Sequence, residues 1–272
     1  MDKENFLINQ LHSGHIGDDG AILGKMIYSM DAFHEEVHFK RAWMTPYQIG
    51  RKAMLVNLSD AVAMNADPLY ALVSVSIPSD FSGDDIRELT HSLESTAAAF
   101  GCEIIGGDTV GGDKLHLSIT IISRSDDPLL RSGLKEGDLL AYTGHLGESK
   151  RNLDRLLGGQ IIADDSRFYE PTLRREFVRK ARAHLNAGMD ISDGLYCDSN
   201  KILDYNELGF EPLIVIDDAI GMSGEEYEML VGMSPENLEQ VRKIASETYT
   251  PLTVFATVGK NDRRYSCRSH HF

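Results

Sequence analysis

Seven aspartates, most of them beside glycine, serine or another acid, stand at spacings that could gather negative charge in one place. Asp18 and Asp19 lie between Gly17 and Gly20, Asp31 follows Ser29 by two residues, and Asp60 closes Asn57-Leu58-Ser59-Asp60. Asp108 follows Gly106-Gly107, and Asp190 and Asp193 flank Ile191-Ser192. Crowded carboxylates repel one another, and a divalent cation offsets the repulsion; Mg2+ in particular is held by carboxylates together with polyphosphate oxygens. A cage of this kind suits phosphoryl transfer, which needs charge neutralisation and in-line positioning more than a covalent nucleophile. One arginine, Arg131, could add positive charge on the transferred group. The familiar phosphate signatures are missing: there is no G-x-x-x-x-G-K-[ST] loop, no kinase H-R-D set and no G-x-G-x-x-G after the first strand. A nucleotide site in this chain must therefore be built differently.

Each acid also has a plainer reading. Asp60 sits among Ala61, Val62, Ala63 and Met64, where an unpaired charge costs several kcal/mol. A helix cap would explain it, but helix-forming residues precede it, so a metal ligand is the stronger reading. Asp18-Asp19-Gly20 could be an ordinary turn before a strand, the commoner meaning of that motif alone. Gly106-Gly107-Asp108 allows a backbone to approach a phosphate, and a plain turn competes on equal terms. Ser192 or Asp193 could cap the helix that follows. His38 alone reads as a surface histidine.

The elements that must position these residues follow from periodicity. A helix from Arg51 to before Pro68 carries Met54, Leu58, Ala61 and Val62 at helical spacing, with Asn57 and Asp60 on one face. Met26 to Asp31 is a strand whose alternation sends Ser29 and Asp31 to the same side. Leu69 to Pro78 is a strand. Asp84 to Phe100 is a helix capped near Ser82, with Ile86, Leu89, Leu93, Ala97 and Phe100 on its core face. A short strand then runs from Cys102 into the two glycines, and Leu115 to Ser123 is another. The second half gives a strand from Leu139 to Gly144, helices over Ser149 to Leu157 and Thr172 to Asn186, a helical pattern after Gly194, a strand at Leu213 to Ile216, a helix from Pro235 to Ser246 and a strand from Thr253 to Val258. Asp126-Asp127-Pro128 is the best boundary, giving domains over 1–127 and 128–272 in a mixed α/β chain.

A length of 272 residues suffices for a sizeable core. With 42 acidic against 27 basic residues the formal charge is -15, which argues against nucleic acid and anionic membrane as partners. Cys102, Cys197 and Cys267 are far apart and odd in number, without a Cys-x-x-Cys pair, so a reducing cytoplasmic setting fits best. No signal peptide and no apolar run of spanning length is read.

Six stretches, in order and covering nearly the whole chain, closely resemble the thiamine-monophosphate kinase family. They are Gly17-Asp18-Asp19-Gly20-Ala21, Asn57-Leu58-Ser59-Asp60 through Asn65-Ala66-Asp67-Pro68, Gly106-Gly107-Asp108-Thr109, Leu130-Arg131-Ser132-Gly133 with Gly137-Asp138, Asp190-Ile191-Ser192-Asp193-Gly194-Leu195 and Gly224-Glu225-Glu226-Tyr227-Glu228. The resemblance implies the fold shared with aminoimidazole ribonucleotide synthetase: an N-terminal α/β domain that dimerises through its sheet, and a C-terminal α+β domain beside it. It implies Mg2+-dependent, direct in-line transfer from ATP to thiamine monophosphate, giving ADP and thiamine diphosphate in a cytoplasmic homodimer. By the same resemblance Asp19, Ser29, Asp31, Asp60, Asp108, Asp190 and Asp193 match metal ligands, with Asp60 bridging several ions. Gly107, Asp108, Arg131 and Ser192 match ATP contacts, His38 and Glu225 match substrate contacts, and Phe272 matches an aromatic that stacks on thiamine. Asp60, Asp108 and Arg131 are the residues nearest the chemistry.

Three departures stand out. Met30 replaces a usual threonine ligand, Ser223-Gly224-Glu225-Glu226 replaces the more usual Gly-Gly-Glu-Asp, and the chain is short for the family. Competing readings are another ATP-dependent member of the superfamily, a metal-dependent phosphohydrolase and a non-catalytic metal-binding module. Product analysis separates the first two from the kinase, and loss of turnover in Asp60→Asn separates the third.

Overall fold

The structure is a computed structural model, and it describes residues 3–8 and 10–267. A short helix α1 (Lys3–Ile8) precedes β1 (Ala21–Leu23), β2 (Met26–His34), α2 (Pro46–Ala63), β3 (Asp67–Pro78), α3 (Gly83–Ala99), β4 (Glu103–Gly112) and β5 (His116–Arg124). These strands form one sheet in the order β1-β2-β5-β3-β4, antiparallel except for the β3/β4 pair. The remainder is β6 (Leu139–Thr143), α4 (Glu148–Leu157), α5 (Arg175–Ala181), β7 (Ala187–Asp190), α6 (Leu195–Tyr205), β8 (Gly209–Pro212), α7 (Asp218–Gly221), β9 (Met229–Met233), α8 (Leu238–Glu247) and β10 (Leu252–Gly259). Its strands make a second, antiparallel sheet ordered β7-β9-β6-β10-β8.

Helix α2 lies at the centre. Thr45 caps it, accepting from the Gln48 amide while the Gln48 side chain accepts from the Thr45 amide, and Pro46 takes the first helical position. That capping box places the start five residues ahead of Arg51, where hydrophobic spacing alone began it. Asn65, with φ of 52°, ends the helix: its amide donates to the Val62 carbonyl and the Ala66 amide to the Ala61 carbonyl. The helix is buried all round, as expected of one packed on several sides. Leu58, Ala61 and Met64 join a core with Ile27, Phe33, Leu117, Ile119 and Ile121 of the first sheet, while Val62 and Ala63 join Phe177, Met229 and Val231 beyond it. Leu156, Ile162, Phe168 and Tyr169 also pack into the first core, although they lie well past Asp127 in sequence.

Several expectations are corrected. The strand expected at Leu213 to Ile216 is β8 instead, at Gly209–Pro212; Leu213, Ile214 and Val215 are exposed beyond its end. The helix expected over Thr172 to Asn186 shrinks to α5 and a 3-10 turn at Arg182–His184. Gly106-Gly107 is not a turn at all but lies inside β4, just past a bulge opposite Ala71 and Leu72. A Cβ on Gly107 would come within 1.8 Å of the Val73 carbonyl oxygen, so packing against β3 already requires glycine there. Ile86 is exposed rather than on the core face of α3, whereas Leu89, Leu93 and Ala97 are buried. The cysteines are not all isolated: Cys197 and Cys267 are joined as a disulfide, with Cα atoms 5.5 Å apart, and Cys102 is free and buried. Among the described residues, no helix is long and apolar enough to cross a membrane.

Candidate active site

The stretch Asn57-Leu58-Ser59-Asp60 works as a ruler along α2. Leu58 is fully buried in the core, which fixes the rotation of the helix. One residue before it, Asn57 accepts from the Asp31 amide through Oδ1 at 2.8 Å while its own amide donates to the Ala53 carbonyl at 2.9 Å. One residue after it, the Ser59 hydroxyl donates to Asp190 Oδ2 at 2.6 Å. The helix thus holds Asp31 from β2 with one side chain and Asp190 from β7 with another, and it sets its own Asp60 between them. Sequence reasoning picked out Asp60 and missed the positioning roles of Asn57 and Ser59. Their signal was present, since two small polar residues in the apolar stretch from Ala53 to Ala63 need partners when buried.

Asp60 keeps some accessible surface but is otherwise enclosed by protein. Burial, and then the carboxylates of Asp31, Asp190 and Asp19, push its carboxyl well above the usual range, with Arg131 pulling the other way. Asp190, 4% exposed, is pushed up by burial and by Asp19 against the Ser59 bond. The four acids Asp19, Asp31, Asp60 and Asp190 therefore share one neighbourhood. Ser29 lies on the same inner face of β2 as Asp31, with a buried hydroxyl that has no hydrogen-bond partner among the described residues. Met30 points the opposite way and is 63% exposed on the outer face, so its side chain replaces no ligand on the inner side.

The Gly17 to Gly20 loop is clamped by Arg131. The Arg131 amide donates to Asp18 Oδ1 at 2.7 Å, its Nε to Asp19 Oδ1 at 3.1 Å and its Nη1 to the Gly17 carbonyl at 3.3 Å. Burial raises the Asp18 carboxyl, and the Arg131 amide opposes this. Ser192 and Asp193 do not cap α6, whose capping position is Gly194. Asp193 instead accepts from Lys201 Nζ at 2.5 Å, and its amide donates to Asp198. Asp198 is fully buried, and burial pushes its carboxyl up to about 6 despite Lys201 at 3.1 Å. For Lys201, burial opposes the charge, but Asp198 and Asp193 outweigh it and hold the ammonium above its usual range. Both groups shift upward: two carboxylates repay the ammonium for its lost water, whereas burial and Asp193 outweigh Lys201 and Arg131 at the carboxylate.

The acidic run after Gly224 is internally paired. Glu225 and Tyr227 adopt left-handed backbone, with φ of 54° and 52°, and their amides donate to the Ser192 and Ile191 carbonyls at 2.7 and 2.9 Å. Glu226 accepts from the Gly147 and Ser149 amides at the start of α4. Glu228 is fully buried and accepts two bonds from Arg174, one from Thr143 and an ion pair from Arg167. Tyr227 is buried, and burial and then the charges of Glu225, Asp31, Asp190 and Asp60 push its hydroxyl well above the usual range, which ties this loop electrostatically to the acid cluster.

A cleft of about 460 Å3 opens beside it, where His38, Trp43, Phe168, Ser192 and Glu225 are joined by Lys40, Lys150 and several apolar residues. His38 accepts from the His34 amide through Nδ1 at 2.9 Å and stacks on Phe33. The expected substrate residues His38 and Glu225 and the expected nucleotide residue Ser192 thus share one cavity. Gly107 and Asp108 are exposed on the edge strand β4, where Asp108 Oδ1 accepts from the Thr109 amide at 2.9 Å. Phe272 lies outside the described residues. No three His, Cys, Asp or Glu side chains among the described residues already stand at metal-holding spacing.

Residues 17–124 match the family model described as AIR synthase related protein, N-terminal domain. A structure described as AaThiL complexed with AMPPCP and TMP superposes with a TM-score of 0.86 at 24% identity, covering 97% of this chain and 91% of that one. A HypE–HypF complex superposes at 0.79 with 16% identity, covering 95% and 93%. The fold is thus that of the AIR synthase-related proteins. Among sequence relatives, the thiamine-monophosphate kinase of Leptospira interrogans is 30% identical over 266 residues, 87% of this chain and 84% of that protein. Those of Aquifex aeolicus and Bacillus subtilis are 29% and 28% identical, over 79% and 88% of this chain and 72% and 83% of their own. The chain belongs to the thiamine-monophosphate kinase family.

Proposed function

We propose that the chain transfers the terminal phosphoryl group of ATP to the phosphate of thiamine monophosphate, giving ADP and thiamine diphosphate by direct in-line displacement. One observation carries this reading: Glu225 and Tyr227 hydrogen-bond to Ser192 and Ile191 while Ser59 bonds Asp190, so the acceptor cleft and the acid cluster are built as one unit. The aromatic and apolar wall at Trp43 and Phe168 suits a flat heteroaromatic group, and Glu225 suits its positive charge.

Divalent magnesium fits the acids. The orphaned Ser29 hydroxyl, together with Asp19, Asp31, Asp60 and Asp190, makes a hard-oxygen donor set whose mutual repulsion a cation relieves. Asp193 and Asp108 complete the proposed ligands. Bound Mg2+ supplies charge neutralisation on the polyphosphate. Arg131 adds a guanidinium beside Asp19, Asp60 would be the central ligand among the acids that Asn57 and Ser59 gather, and Glu225 and His38 orient the acceptor. In this reading residues 1–127 carry the metal and nucleotide functions and residues 128–272 complete both sites.

The outer face of the first sheet supports a homodimer. Tyr28 and Tyr70 both lie opposite Ile122, Met30 and Leu72 both lie opposite Thr120, and all four outer residues are exposed. A contiguous apolar patch of this kind marks an association surface. Sedimentation of wild type against Met30→Lys/Leu72→Lys tests it, with monomer expected for the variant. The reading places the reaction in the cytoplasm with its ATP supply. The function itself is tested by supplying Mg2+, ATP and thiamine monophosphate and separating products. Thiamine diphosphate and ADP are expected; free phosphate without thiamine diphosphate would make the chain a phosphohydrolase.

A further inference from the structure

Lys52 is a lysine with none of its side chain exposed, a rare state for a residue whose ammonium loses so much water on burial. It sits on α2, two turns before Asp60, and does not itself line the cleft. Its ammonium reaches Glu225 Oε2 at 2.6 Å. It also stands 4.1 Å from the centre of the Phe168 ring and 5.8 Å from that of Phe33. Glu225 and Phe168 both line the cleft, and Phe33 carries the stacked ring of His38, 5.5 Å away, which lines it too. One buried cation thus touches, directly or through one ring, three components of the acceptor wall.

We infer that Lys52 is a positioning residue for the acceptor: it fixes the Glu225 carboxylate and the Phe168 and Phe33 rings behind the cleft without meeting the substrate. This rests on the reading that the cleft takes thiamine monophosphate. Two physical reasons support it. Glu225 occupies a left-handed backbone position on a loop, where its side chain needs an external anchor to hold one direction. Aromatic faces on the ammonium return part of the solvation it loses.

The test is steady-state kinetics with each substrate varied in turn, together with fluorescence titration of Trp43, the one tryptophan of the chain and a lining residue of the cleft. Lys52→Met is expected to raise the KM for thiamine monophosphate at least about tenfold, as for removal of one partner of a buried charge pair, while the KM for ATP stays within about twofold. The dissociation constant read from Trp43 on titration with thiamine monophosphate should move with the first constant. Lys52→Arg, which keeps a cation able to bond a carboxylate and lie on a ring, should recover most of the loss. If Lys52→Met does not fold, Glu225→Gln examines the same pair from the cleft side, leaves the ammonium in place and should raise the acceptor KM selectively. A lysine that serves only the fold would lower the unfolding temperature and leave both constants alone, or shift them together; either result overturns the inference. Wild-type protein that forms no thiamine diphosphate removes the proposed function and the inference with it. Turnover by wild type with Lys52 variants unaffected removes the inference alone.

Discussion

Replacing Asp60 by asparagine should make the metal-free protein more stable and the enzyme inactive, two effects of opposite sign from one atom. The side chain is enclosed with Asp31, Asp190 and Asp19, whose charges push its carboxyl well above the usual range after burial has done so. Two carboxylates about 5 Å apart at an effective dielectric of about 20 repel by roughly 3 kcal/mol. Protonation and local relaxation already relieve much of that, so removing the charge should add about 1–2 kcal/mol. For a chain of this length that is a rise of roughly 2–8 °C in Tm, measured by calorimetry in the presence of a chelator. Wild type should gain more than this from Mg2+: a cation at about 100 times its Kd adds roughly 2.7 kcal/mol. Asp60→Asn should lose most of that increment along with thiamine diphosphate formation, because the residue at the centre of the acids can no longer be shared among cations. A variant that melts lower without metal, keeps the wild-type response to Mg2+ and turns over normally would refute the whole account of the cluster.

Three further outcomes are expected. Glu228→Gln, which leaves Arg174 and Arg167 facing a neutral amide in a fully buried site, should cost about 3–5 kcal/mol and lower Tm by roughly 6–20 °C, seen by thermal unfolding. Asp198, held up at about 6 against an unfolded value of 3.8, binds a proton more tightly in the folded state. Stability should therefore fall as pH rises from about 4 to about 6, by on the order of 1–3 kcal/mol, and denaturant unfolding of chelator-treated Asp198→Asn should show a shallower fall. Thiol counting with a chromogenic disulfide should find no fast-reacting cysteine in native protein, since Cys102 is buried with its thiol pushed up to about 11 by that burial. It should find one after unfolding without reductant and three after reduction, the difference being the Cys197–Cys267 pair.

What was legible in the sequence depended on whether the signal was local. Helix α3, capped by Ser82, and the strands β2, β3 and β5 could be read from spacing, and so could the opposed directions of Ser29 and Met30. Strands β7 and β9 were not picked out, because every residue in them is buried and neither alternates. The displacement of β8 has a similar cause: Leu213, Ile214 and Val215 look like a strand by composition, yet pairing with β10 ends at Pro212. At the site, the acids and their gathering into one cage were legible, but the contacts that hold them together were not. Asp31, Asp60 and Asp190 come from three elements, and the contacts that gather them run through Asn57 and Ser59, whose role depends on which way a buried helix is turned. The pairings Glu225–Lys52 and Glu228–Arg174 span 173 and 54 residues, beyond anything periodicity can show.

The parity of β2 divides its residues between two kinds of selection. Ser29 and Asp31 face the acids, where a change of one atom alters charge balance, while Tyr28 and Met30 face outward, where only the neighbouring surface constrains them. A relative can therefore redesign its outer face by substitutions every second residue while its chemistry stays fixed on the residues between. The same arrangement exposes a weakness: an insertion or deletion of a single residue within the strand would exchange the two faces, burying Met30 among carboxylates and sending Asp31 into the apolar patch. Substitutions should accumulate readily on the outward-facing positions of this strand, and changes in its length should not.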